Sequence, residues 1–347
     1  MQRGVLFIGA FPSPEAGHRG VCEDLALRLS DRGWDALVVS SLEGRIQRIA
    51  DICRTAWLRR REYMVAHIDV YSGLAFAWAE VAALVVRRAG RPYILTLRGG
   101  NLPGFARRWP GRVRRLFARA AAITAPSRYL SEQMHGYRGD IRLLPNPVDI
   151  RGYEFRLRLK PAPRLVWLRA FHWIYNPGLA VDVAARLLAE YPNVQLVMVG
   201  RGKGDGSLQA VQERAATLGL SQRLILPGGV PKSAVSQWLN RGDIFLNTAN
   251  VDNTPISVIE AMACGLCVVS TNAGGMPYLV EHEREGLLVP PNDAKAMAEA
   301  ARRLLTDPAL AERLSKGARA RAEQHDWPMI LPQWETLLAA AAGGGAP

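Results

Sequence analysis

The chain has 347 residues, of which 49% are hydrophobic and 22% are charged, and its net charge at pH 7 is +13. At about 100–200 residues per domain, this length predicts two domains, each with its own core. The apolar content excludes a largely disordered chain, and only the tail Ala339–Pro347 is predicted to be flexible. The longest apolar run, Leu74–Val86, carries Glu80 and is shorter than the roughly 20 residues that a membrane span requires.

The first apolar stretch, Gly4–Phe11, is too short for the core of a signal peptide, so we expect a buried strand there and a cytoplasmic chain. The four cysteines are too few for a disulfide framework. Cys264 and Cys267 have C-x-x-C spacing without a second ligand pair, and we interpret them as small core residues.

In the first half, short apolar stretches alternate with helical ones. The predicted elements are strands Val5–Ala10, Asp35–Val39, His67–Tyr71, Tyr93–Leu97, Ala121–Thr124 and Ile141–Leu144, with a loop at Phe11–Gly20 and a helix at Val21–Asp31. Strands separated by helices predict an α/β fold with a parallel, doubly wound sheet. Pro145 and Pro147 end this series, and the arginine-rich stretch Ile150–Pro163 is predicted to be a linker.

The second half repeats the alternation. The predicted strands are Leu165–Arg169, Val194–Val199, Arg223–Leu226, Ile244–Asn247 and Val268–Thr271. The predicted helices are Leu179–Leu188, Leu208–Leu218, Ser233–Arg241, Ile256–Cys264, Lys295–Leu305 and Ala309–Glu323. We expect domains at residues 1–155 and 162–325, facing each other across a cleft where the carboxyl ends of the strands bind ligands.

The positive charge is concentrated in the first half, where residues 1–160 contain 27 basic and 14 acidic residues, against 17 of each in the remainder. Two segments, Arg45–Arg61 and Arg107–Arg119, carry most of it. Arginines interleaved with bulky apolar residues are typical of a helix that contacts an anionic membrane surface. The apolar residues of the second segment are Phe105, Trp109, Val113, Leu116 and Phe117. An ordinary solvated surface and nucleic-acid phosphates are the alternatives, but the chain has no nucleic-acid-binding motif, and we expect no such partner.

A helix start signal precedes the fourth predicted helix of the second half, in the segment after Asn247. Thr254 followed by Pro255 predicts a hydroxyl N-cap and a proline at the first helical position. The free N–H groups of Ile256, Ser257 and Val258 would then form a site for a phosphate.

Glu260 is the only charged residue between Ile256 and Gly265. An unpaired carboxylate inside an apolar helix costs several kcal/mol, so it requires hydrogen-bond donors. Vicinal sugar hydroxyls would supply two donors, and a structural salt bridge with an arginine is the alternative interpretation.

The pattern Asp252-x7-Glu260, followed by Ala261–Gly265 and Val268–Pro277, resembles the E-x7-E signature of family 4 glycosyltransferases with the GT-B fold. The resemblance continues in the segments Val199–Gly202, Leu226–Val230, Gly242–Asn247, Glu285–Pro291, Ala125–Tyr129 and Leu144–Pro147. It implies two Rossmann-like domains, a terminal helix at 326–342 that returns to the first domain, and sugar transfer from a nucleotide-sugar. The transfer would retain the anomeric configuration and need no metal or other cofactor, and the chain has no Asp-x-Asp pair to hold one.

The resemblance also implies residue roles. Glu260 would bind the nucleotide ribose, and Asp252, one methylene shorter than the usual glutamate, would contact the donor sugar. Arg169 would bind the diphosphate, and Gly17 would let the diphosphate approach the first domain. The other implied donor-binding residues are Gly200, Val230, Asn253, Ile256, Ser257 and Val258.

Two positions depart from the family pattern. A lysine usually follows the arginine, but here the stretch is two residues longer and Tyr175 stands in its place, so either His172 or Tyr175 substitutes by hydrogen bonding or the clamp is weaker. Arg98 occupies a position near the reacting centre that is often histidine. An arginine there would bind donor phosphate or an anionic acceptor, and ordinary strand-end packing is the alternative.

The sequence therefore predicts a retaining, metal-independent glycosyltransferase. It would take a UDP- or GDP-sugar donor and a glycan or lipid-linked acceptor in envelope polysaccharide synthesis, at the inner face of the cell membrane. The alternative is a non-catalytic, sugar-nucleotide-binding subunit of a glycan-assembly complex. A sugar-nucleotide epimerase is a third candidate, which the extended match disfavours.

Overall fold

The computed structural model describes residues 3–9, 20–39, 42 and 44–343. The chain divides into two compact units, Met1–Pro147 with Pro328–Pro347, and Val148–Trp327. In the described part of the chain, each unit is built on one six-stranded sheet whose paired strands are all parallel. The predicted pair of parallel, doubly wound sheets is confirmed. No helix in the described ranges is long and apolar enough to cross a membrane.

The first unit has the strand order β2-β1-β3-β4-β5-β6. Its strands are β1 (Gly4–Ile8), β2 (Asp35–Val39), β3 (Val65–Val70), β4 (Tyr93–Leu97), β5 (Ala122–Ala125) and β6 (Ile141–Leu143). Its helices are α1 (Val21–Ser30), α2 (Arg45–Leu58), α3 (Leu74–Arg88), α4 (Leu102–Arg108), α5 (Pro110–Phe117) and α6 (Arg128–Met134). Every residue of β1, β3, β4 and β5 is buried, as expected for a parallel sheet covered on both faces.

The second unit has the strand order β12-β11-β10-β7-β8-β9. Its strands are β7 (Arg164–Leu168), β8 (Gln195–Val199), β9 (Leu224–Gly228), β10 (Ile244–Asn247), β11 (Cys267–Thr271) and β12 (Leu287–Val289). The helices from here to the end of the chain are α7 (Pro177–Leu188), α8 (Ser207–Thr217), α9 (Val235–Leu239), α10 (Ile256–Ala263), α11 (Met276–Leu279), α12 (Ala294–Thr306), α13 (Pro308–Glu323) and α14 (Trp327–Ala342).

Each sheet has one point where the chain reverses its direction of winding. In the first unit this point lies between β1 and β3, and in the second it lies between β7 and β10. Loops diverge there at the carboxyl ends of the strands and leave a crevice, which is where open α/β sheets bind ligands. The residues that follow β3, β7 and β10 are therefore placed at the two crevices.

Three predictions about the chain outside the sheets are wrong. The stretch Ile150–Pro163 is packed onto the second unit rather than forming a polar linker, because Tyr153 and Arg158 in it are only 6% and 2% exposed. The helix predicted at Ser233–Arg241 is a 3-10 turn followed by the five-residue α9. The alanine-rich start of the predicted flexible tail continues α14 to Ala342, consistent with the high helix propensity of alanine.

Candidate active site

The predicted donor-binding residues of the second unit follow the carboxyl ends of four neighbouring strands. Arg169 comes directly after β7, Gly200 after β8, and Val230 two residues after β9. Asp252 and Asn253 lie in the loop that joins β10 to α10. Because Arg169 and Asp252 follow the two strands of the switch point, the topology brings a cation and an anion together at the crevice.

Arg169 and Asp252 form a direct ion pair between Nη2 and Oδ2. The other carboxylate oxygen of Asp252 accepts a hydrogen bond of 2.9 Å from the N–H of Asn253, so the carboxylate is held on both sides. Burial acts to lower the pKa of Arg169, but the charge and hydrogen bond of Asp252, together with the neighbouring Tyr175 and Glu260, outweigh it and the pKa is raised. In the described residues, the buried Nε of Arg169 has no hydrogen-bond partner. One donor of this fixed guanidinium can therefore bind a ligand.

Tyr175, which stands where the family has lysine, packs its ring against this guanidinium. The Cζ atom of Arg169 lies 4.3 Å from the ring centroid, in the range of a cation–π contact. The carbonyl of Tyr175 accepts a 2.7 Å hydrogen bond from Thr248, which fixes the 3-10 turn Trp173–Tyr175 against the end of β10. Tyr175 thus supports Arg169 through its ring face, and it adds no second positive charge.

His172 begins this turn as its N-cap. Its Nδ1 atom accepts a hydrogen bond of 3.3 Å from the N–H of Ile174, and its Nε2 atom lies 4.0 Å from the carboxylate of Asp205. These contacts give His172 a role in the conformation of the turn. Of the two predicted substitutes for the missing lysine, only Tyr175 contacts Arg169 among the interactions of the described residues.

The start of α10 differs from the prediction. The helix begins at Ile256, and Pro255 occupies the N-cap position with no side-chain hydrogen bond, so Thr254 is not the N-cap. The N–H of Val258 donates to the carbonyl of Pro255 at 3.1 Å, which removes it from the predicted phosphate site. A proline at this position has no hydroxyl to cap the first turn, so the prediction of a hydroxyl cap is wrong.

Ser257 lies in the first turn of α10 and is 5% exposed. In the described part of the chain, its buried hydroxyl has no hydrogen-bond partner. A buried hydroxyl without a partner costs free energy, which a bound ligand would recover. First-turn N–H groups such as those of Ile256 and Ser257 have no acceptor inside a helix. This end of α10 can therefore donate to an anion.

Glu260 is 4% exposed and is not left unpaired. Its Oε1 atom accepts a 2.7 Å hydrogen bond from the hydroxyl of Tyr153 and forms an ion pair with the ammonium group of Lys232. The salt bridge of the alternative interpretation is present, but its cation is Lys232, whose side chain is 51% exposed, and not an arginine. Within the described residues, these bonds leave Oε2 without a hydrogen-bond partner. Burial and the charge of Glu260 raise the pKa of Tyr153, which stays a neutral donor.

Sequence reasoning missed Tyr153 and Lys232 because they lie far from Glu260 along the chain. Tyr153 falls in the stretch predicted to be a linker, and Lys232 follows β9 in the 3-10 turn Lys232–Ala234. The signal that could have found them is the carboxylate itself, since a buried acid needs donors from some other segment. The structure supplies both donors from the second unit.

Three glycines hold the backbone of this site at close range. Gly200 has φ +155°, and a Cβ atom there would collide with the carbonyl of Arg169. Gly274 (φ +60°) and Gly275 lie equally close to the carbonyls of Asp252 and Asn253, and the N–H of Gly275 donates to Asp252 O at 3.0 Å. In the sequence, Gly274 and Gly275 stand out only as part of the family resemblance, and the structure shows that they fix the acidic loop.

In the first unit, Arg98 follows β4, and its side chain is 9% exposed. Its Nε atom donates to Asp69 at 2.8 Å and its Nη1 atom donates to Asn146 at 2.8 Å. Among the described residues, its buried Nη2 has no partner. The guanidinium is thus fixed by two partners and keeps one donor without a partner in the described part of the chain. The predicted Gly17 lies outside the described residues.

Asp69 also belongs to a buried group with Cys22 and His67, whose possible metal-ligating atoms lie within 4.8 Å of one another. Two of these side chains already have partners: Asp69 is paired with Arg98, and the Nε2 of His67 lies 2.7 Å from the hydroxyl of Thr96. Burial lowers the pKa of His67 to about 4. The guanidinium beside Asp69 disfavours a further cation there.

The second basic segment does not have the predicted interfacial face. Val113, Leu116 and Phe117 of α5 are buried in the core of the first unit, and Phe105 packs against that core. Of the five predicted apolar residues, only Trp109 is strongly exposed, at 46%. The spacing of α5 therefore turns its apolar residues inward and leaves an outer face of arginines.

The first basic segment forms α2 and does expose apolar side chains. Ile46, Trp57 and Leu58 are 84%, 45% and 62% exposed. The guanidinium of Arg60 lies 4.9 Å from the Trp57 ring, and Arg54 is exposed on the same helix. Apolar and basic side chains on one exposed helix are typical of a membrane-interfacial surface.

Two family models match the chain in succession. The one described as Glycosyltransferase Family 4 matches residues 17–151, and the one described as Glycosyl transferases group 1 matches residues 157–321. The chain is 29% identical over 219 residues to the D-inositol 3-phosphate glycosyltransferase of Jonesia denitrificans. It is 28% identical over 225 residues to the phosphatidyl-myo-inositol mannosyltransferase of Mycobacterium tuberculosis. These matches cover 59% and 62% of this chain but only 52% and 58% of the relatives.

Solved structures share the whole architecture at low sequence identity. HepE of Anabaena, in complex with UDP and glucose, has a TM-score of 0.77 at 19% identity and covers 98% of this chain and 100% of its own. Sucrose-phosphate synthase of Thermosynechococcus elongatus has a TM-score of 0.78 at 17% identity, with coverages of 99% and 100%. The fold is therefore that of the GT-B class of glycosyltransferases. Within this class, the two successive family matches show that the chain belongs to glycosyltransferase family 4.

Proposed function

We propose that this chain transfers a sugar from a nucleoside diphosphate-sugar to a glycan or lipid-linked acceptor. The observation that carries the proposal is the arrangement of Arg169, Asp252 and Glu260 at the crevice of the second unit, with unpartnered donors on Arg169 and Ser257 among the described residues. The relative from Anabaena, which binds UDP and glucose, supports UDP as the first nucleotide to test.

The chemistry follows from where charge develops. When the bond between the sugar and the diphosphate breaks, negative charge moves onto the departing diphosphate. Fixed donors aimed at that charge lower the barrier. Arg169, held by Asp252 and by the Tyr175 ring, would supply one donor, and the hydroxyl and N–H groups at the start of α10 would supply others. The free Oε2 of Glu260 would accept from the ribose hydroxyls.

We propose that the reaction needs no metal ion and retains the anomeric configuration. In place of a metal ion, Arg169 and the N-terminus of α10 would neutralise the charge of the diphosphate. The cluster of metal-ligating side chains that the described residues form, at Cys22, His67 and Asp69, belongs to the first unit and not to this crevice.

The acceptor would bind the first unit at its switch point. A cavity of about 300 Å³ lies there, beside the Asp69 that holds Arg98. Its other lining residues are mainly apolar, namely Ile8, Gly9, Arg48, Ile52, Ile68, Tyr71, Ala75, Trp78 and Ala79. An apolar lining that includes Arg48, with Arg98 paired to the neighbouring Asp69, fits an acceptor that combines an apolar and an anionic group. The inositol phosphate and phosphatidylinositol named for the two relatives have that chemistry in part.

We place the reaction in envelope polysaccharide synthesis, at the inner face of the cell membrane. The exposed Ile46, Trp57 and Leu58 of α2, with the arginines around them, support contact with anionic lipid. Binding to vesicles should then require anionic lipid and weaken as salt is added, because salt screens the charges. Equal binding to neutral vesicles would contradict this contact.

The second candidate is a subunit that binds a sugar nucleotide without turnover. It is favoured by Tyr175, which supports Arg169 but supplies no second cation to the diphosphate. Incubation of the wild type and Glu260→Ala with a panel of UDP- and GDP-sugars, in the presence and absence of EDTA, separates the candidates. Hydrolysis or transfer that the substitution abolishes and EDTA leaves intact supports the enzyme, and NMR of the product gives the anomeric configuration. Binding without turnover supports the subunit, and interconversion of sugar epimers would support an epimerase.

A further inference from the structure

A groove of about 480 Å³ lies between α3 and α5 of the first unit. Four arginines line it: Arg87 from the last turn of α3, Arg112 and Arg115 from α5, and Arg119 just after α5. The rest of its lining consists of Glu80, Ala83, Leu84, Tyr93 and Leu116. Four guanidinium groups therefore share one groove with a single carboxylate.

The carboxylate of Glu80 is already paired with one of these arginines. Glu80 accepts from both Nε and Nη2 of Arg112, with 3.0 Å between Nε and Oε1. The guanidinium of Arg112 also lies 5.5 Å from the ring centroid of Phe76 and 5.7 Å from that of Phe105. Arg112 is thus a fixed, paired member of the groove, and Glu80 does not neutralise the other three arginines.

Across the described ranges, Arg87, Arg115 and Arg119 form no ion pair, so the groove carries an excess of three positive charges. The helix dipole accounts for one cation in the last turn of α3 and one in that of α5. It does not account for Arg119, which lies beyond α5, or for four like charges around one groove. Like charges around one groove repel one another, so the arrangement is stabilised when an anion binds.

The groove lies away from the crevice of the first unit. Tyr93 begins β4 and Arg119 precedes β5, so the groove is at the amino edge of the sheet, whereas Asp69 and Arg98 are at the carboxyl edge. The hydroxyl of Tyr93 donates to the carbonyl of Leu116 at 3.1 Å, which ties the floor of the groove to α5. Burial raises the pKa of Tyr93, and the charges of Arg87 and Arg119 oppose the rise, which places both guanidinium groups near the phenol.

We propose that this groove is a phosphate-binding site, separate from the site for the sugar donor. Three guanidinium groups that share one groove and form no ion pair among the described residues match the planar, bidentate recognition of phosphate oxygens by arginine. The apolar side chains of Ala83, Leu84 and Leu116 give the phosphate an apolar boundary on one side. The ligand is a phosphate group carried either by a free phosphate compound or by a phospholipid headgroup.

The test compares two double variants of the full chain with equal net charge. Arg115→Gln with Arg119→Gln removes two unpaired members of the groove, and Arg107→Gln with Arg108→Gln removes two exposed arginines of α4 that do not line it. Both variants keep Arg169, so phosphate bound at the donor site contributes equally to both. The probes are inorganic phosphate and pyrophosphate by calorimetry, and sedimentation with phosphatidylcholine vesicles containing phosphatidylglycerol.

The groove variant should bind its probe about 100-fold more weakly than the wild type, because each of the two removed guanidinium groups contributes about tenfold through a charge-assisted hydrogen bond. The control variant should change the affinity less than about threefold. Groove-dependent binding of phosphate or pyrophosphate identifies a free phosphate ligand. Groove-dependent binding of vesicles alone identifies a lipid headgroup. If both variants weaken every probe equally, or neither does, the groove is an ordinary basic surface and the proposal is overturned.

Discussion

Substitutions at Tyr153 and Lys232 can separate the contributions of these two residues to the contact with Glu260. Tyr153→Phe removes a single hydroxyl that donates to the buried carboxylate at 2.7 Å. Loss of a hydrogen bond to a charged group costs about 2 kcal/mol of unfolding free energy. In a Glu260→Gln background the same substitution should cost only about 1 kcal/mol, because the bond there is neutral. The double-mutant cycle should therefore give a coupling energy of about 1 kcal/mol.

Lys232→Met is the matched test of the ion pair. The side chain of Lys232 is 51% exposed, so solvent screens the attraction, and its loss should cost about 1 kcal/mol or less. Methionine retains an unbranched stem of similar shape. The order of destabilisation should thus be Tyr153→Phe above Lys232→Met. Urea unfolding, fitted with one transition for each unit, measures these free energies.

The affinity for UDP decides between a structural and a ligand-binding role. If the free Oε2 of Glu260 accepts from ribose hydroxyls, Glu260→Gln should weaken UDP binding by at least about tenfold, the value of one charge-assisted hydrogen bond. Tyr153→Phe, which removes no ligand contact in this interpretation, should change it less than about threefold. If Glu260→Gln destabilises the chain but leaves UDP affinity unchanged, Glu260 serves only to bind Tyr153 and Lys232, and its assignment to the donor site is wrong.

Two further predictions concern the backbone and pH. Alanine at a position of positive φ is expected to cost about 1 kcal/mol. Gly274→Ala should destabilise the second unit by more than this amount and should also weaken UDP binding, because its Cβ would displace the carbonyl of Asp252. Gly219→Ala, also at positive φ but with open space around it, is the control, and equal losses in both variants would contradict the reasoning. Because burial lowers the pKa of His67 from 6.5 to about 4, protonation of the unfolded chain should reduce stability as pH falls through this interval. From pH 7 to pH 5 the unfolding free energy should drop by about 2 kcal/mol through this residue, and a wild-type pH slope no steeper than that of His67→Gln would refute the assignment.

The sheets were predictable because a parallel sheet covered on both faces is encoded by continuous apolar runs. The runs at Asp35–Val39, Tyr93–Leu97 and Ile244–Asn247 coincide with β2, β4 and β10. The strand β12 (Leu287–Val289) was missed, since three residues after Gly286 carry too little pattern to distinguish from a loop. The arginines of α5 were predicted to lie beside exposed aromatics, but helical spacing turns Leu116 and Phe117 into the core.

The site was predictable where a residue follows a strand end and unpredictable where two distant segments meet. Arg169 and Asp252 follow β7 and β10, so topology alone places them at one crevice. The sequence suggests sugar hydroxyls or an arginine as partners of Glu260, whereas the structure supplies Lys232 and Tyr153 from segments with no local motif. Side-chain partners of this kind depend on long-range packing, which periodicity does not encode.

A donor that entered the proposed site would meet charges that are already paired. Arg169 is paired with Asp252, and Glu260 is paired with Lys232, so the local charges are already balanced. A diphosphate that displaced Asp252 from Arg169 would leave a buried carboxylate unpaired, which costs several kcal/mol. In the proposed site, the Nε of Arg169, which has no partner among the described residues, would remove this conflict, because the guanidinium would hold Asp252 through Nη2 and the diphosphate through Nε at the same time. Tyr175 fits the same arrangement, since its ring holds the guanidinium in place and occupies none of its N–H donors.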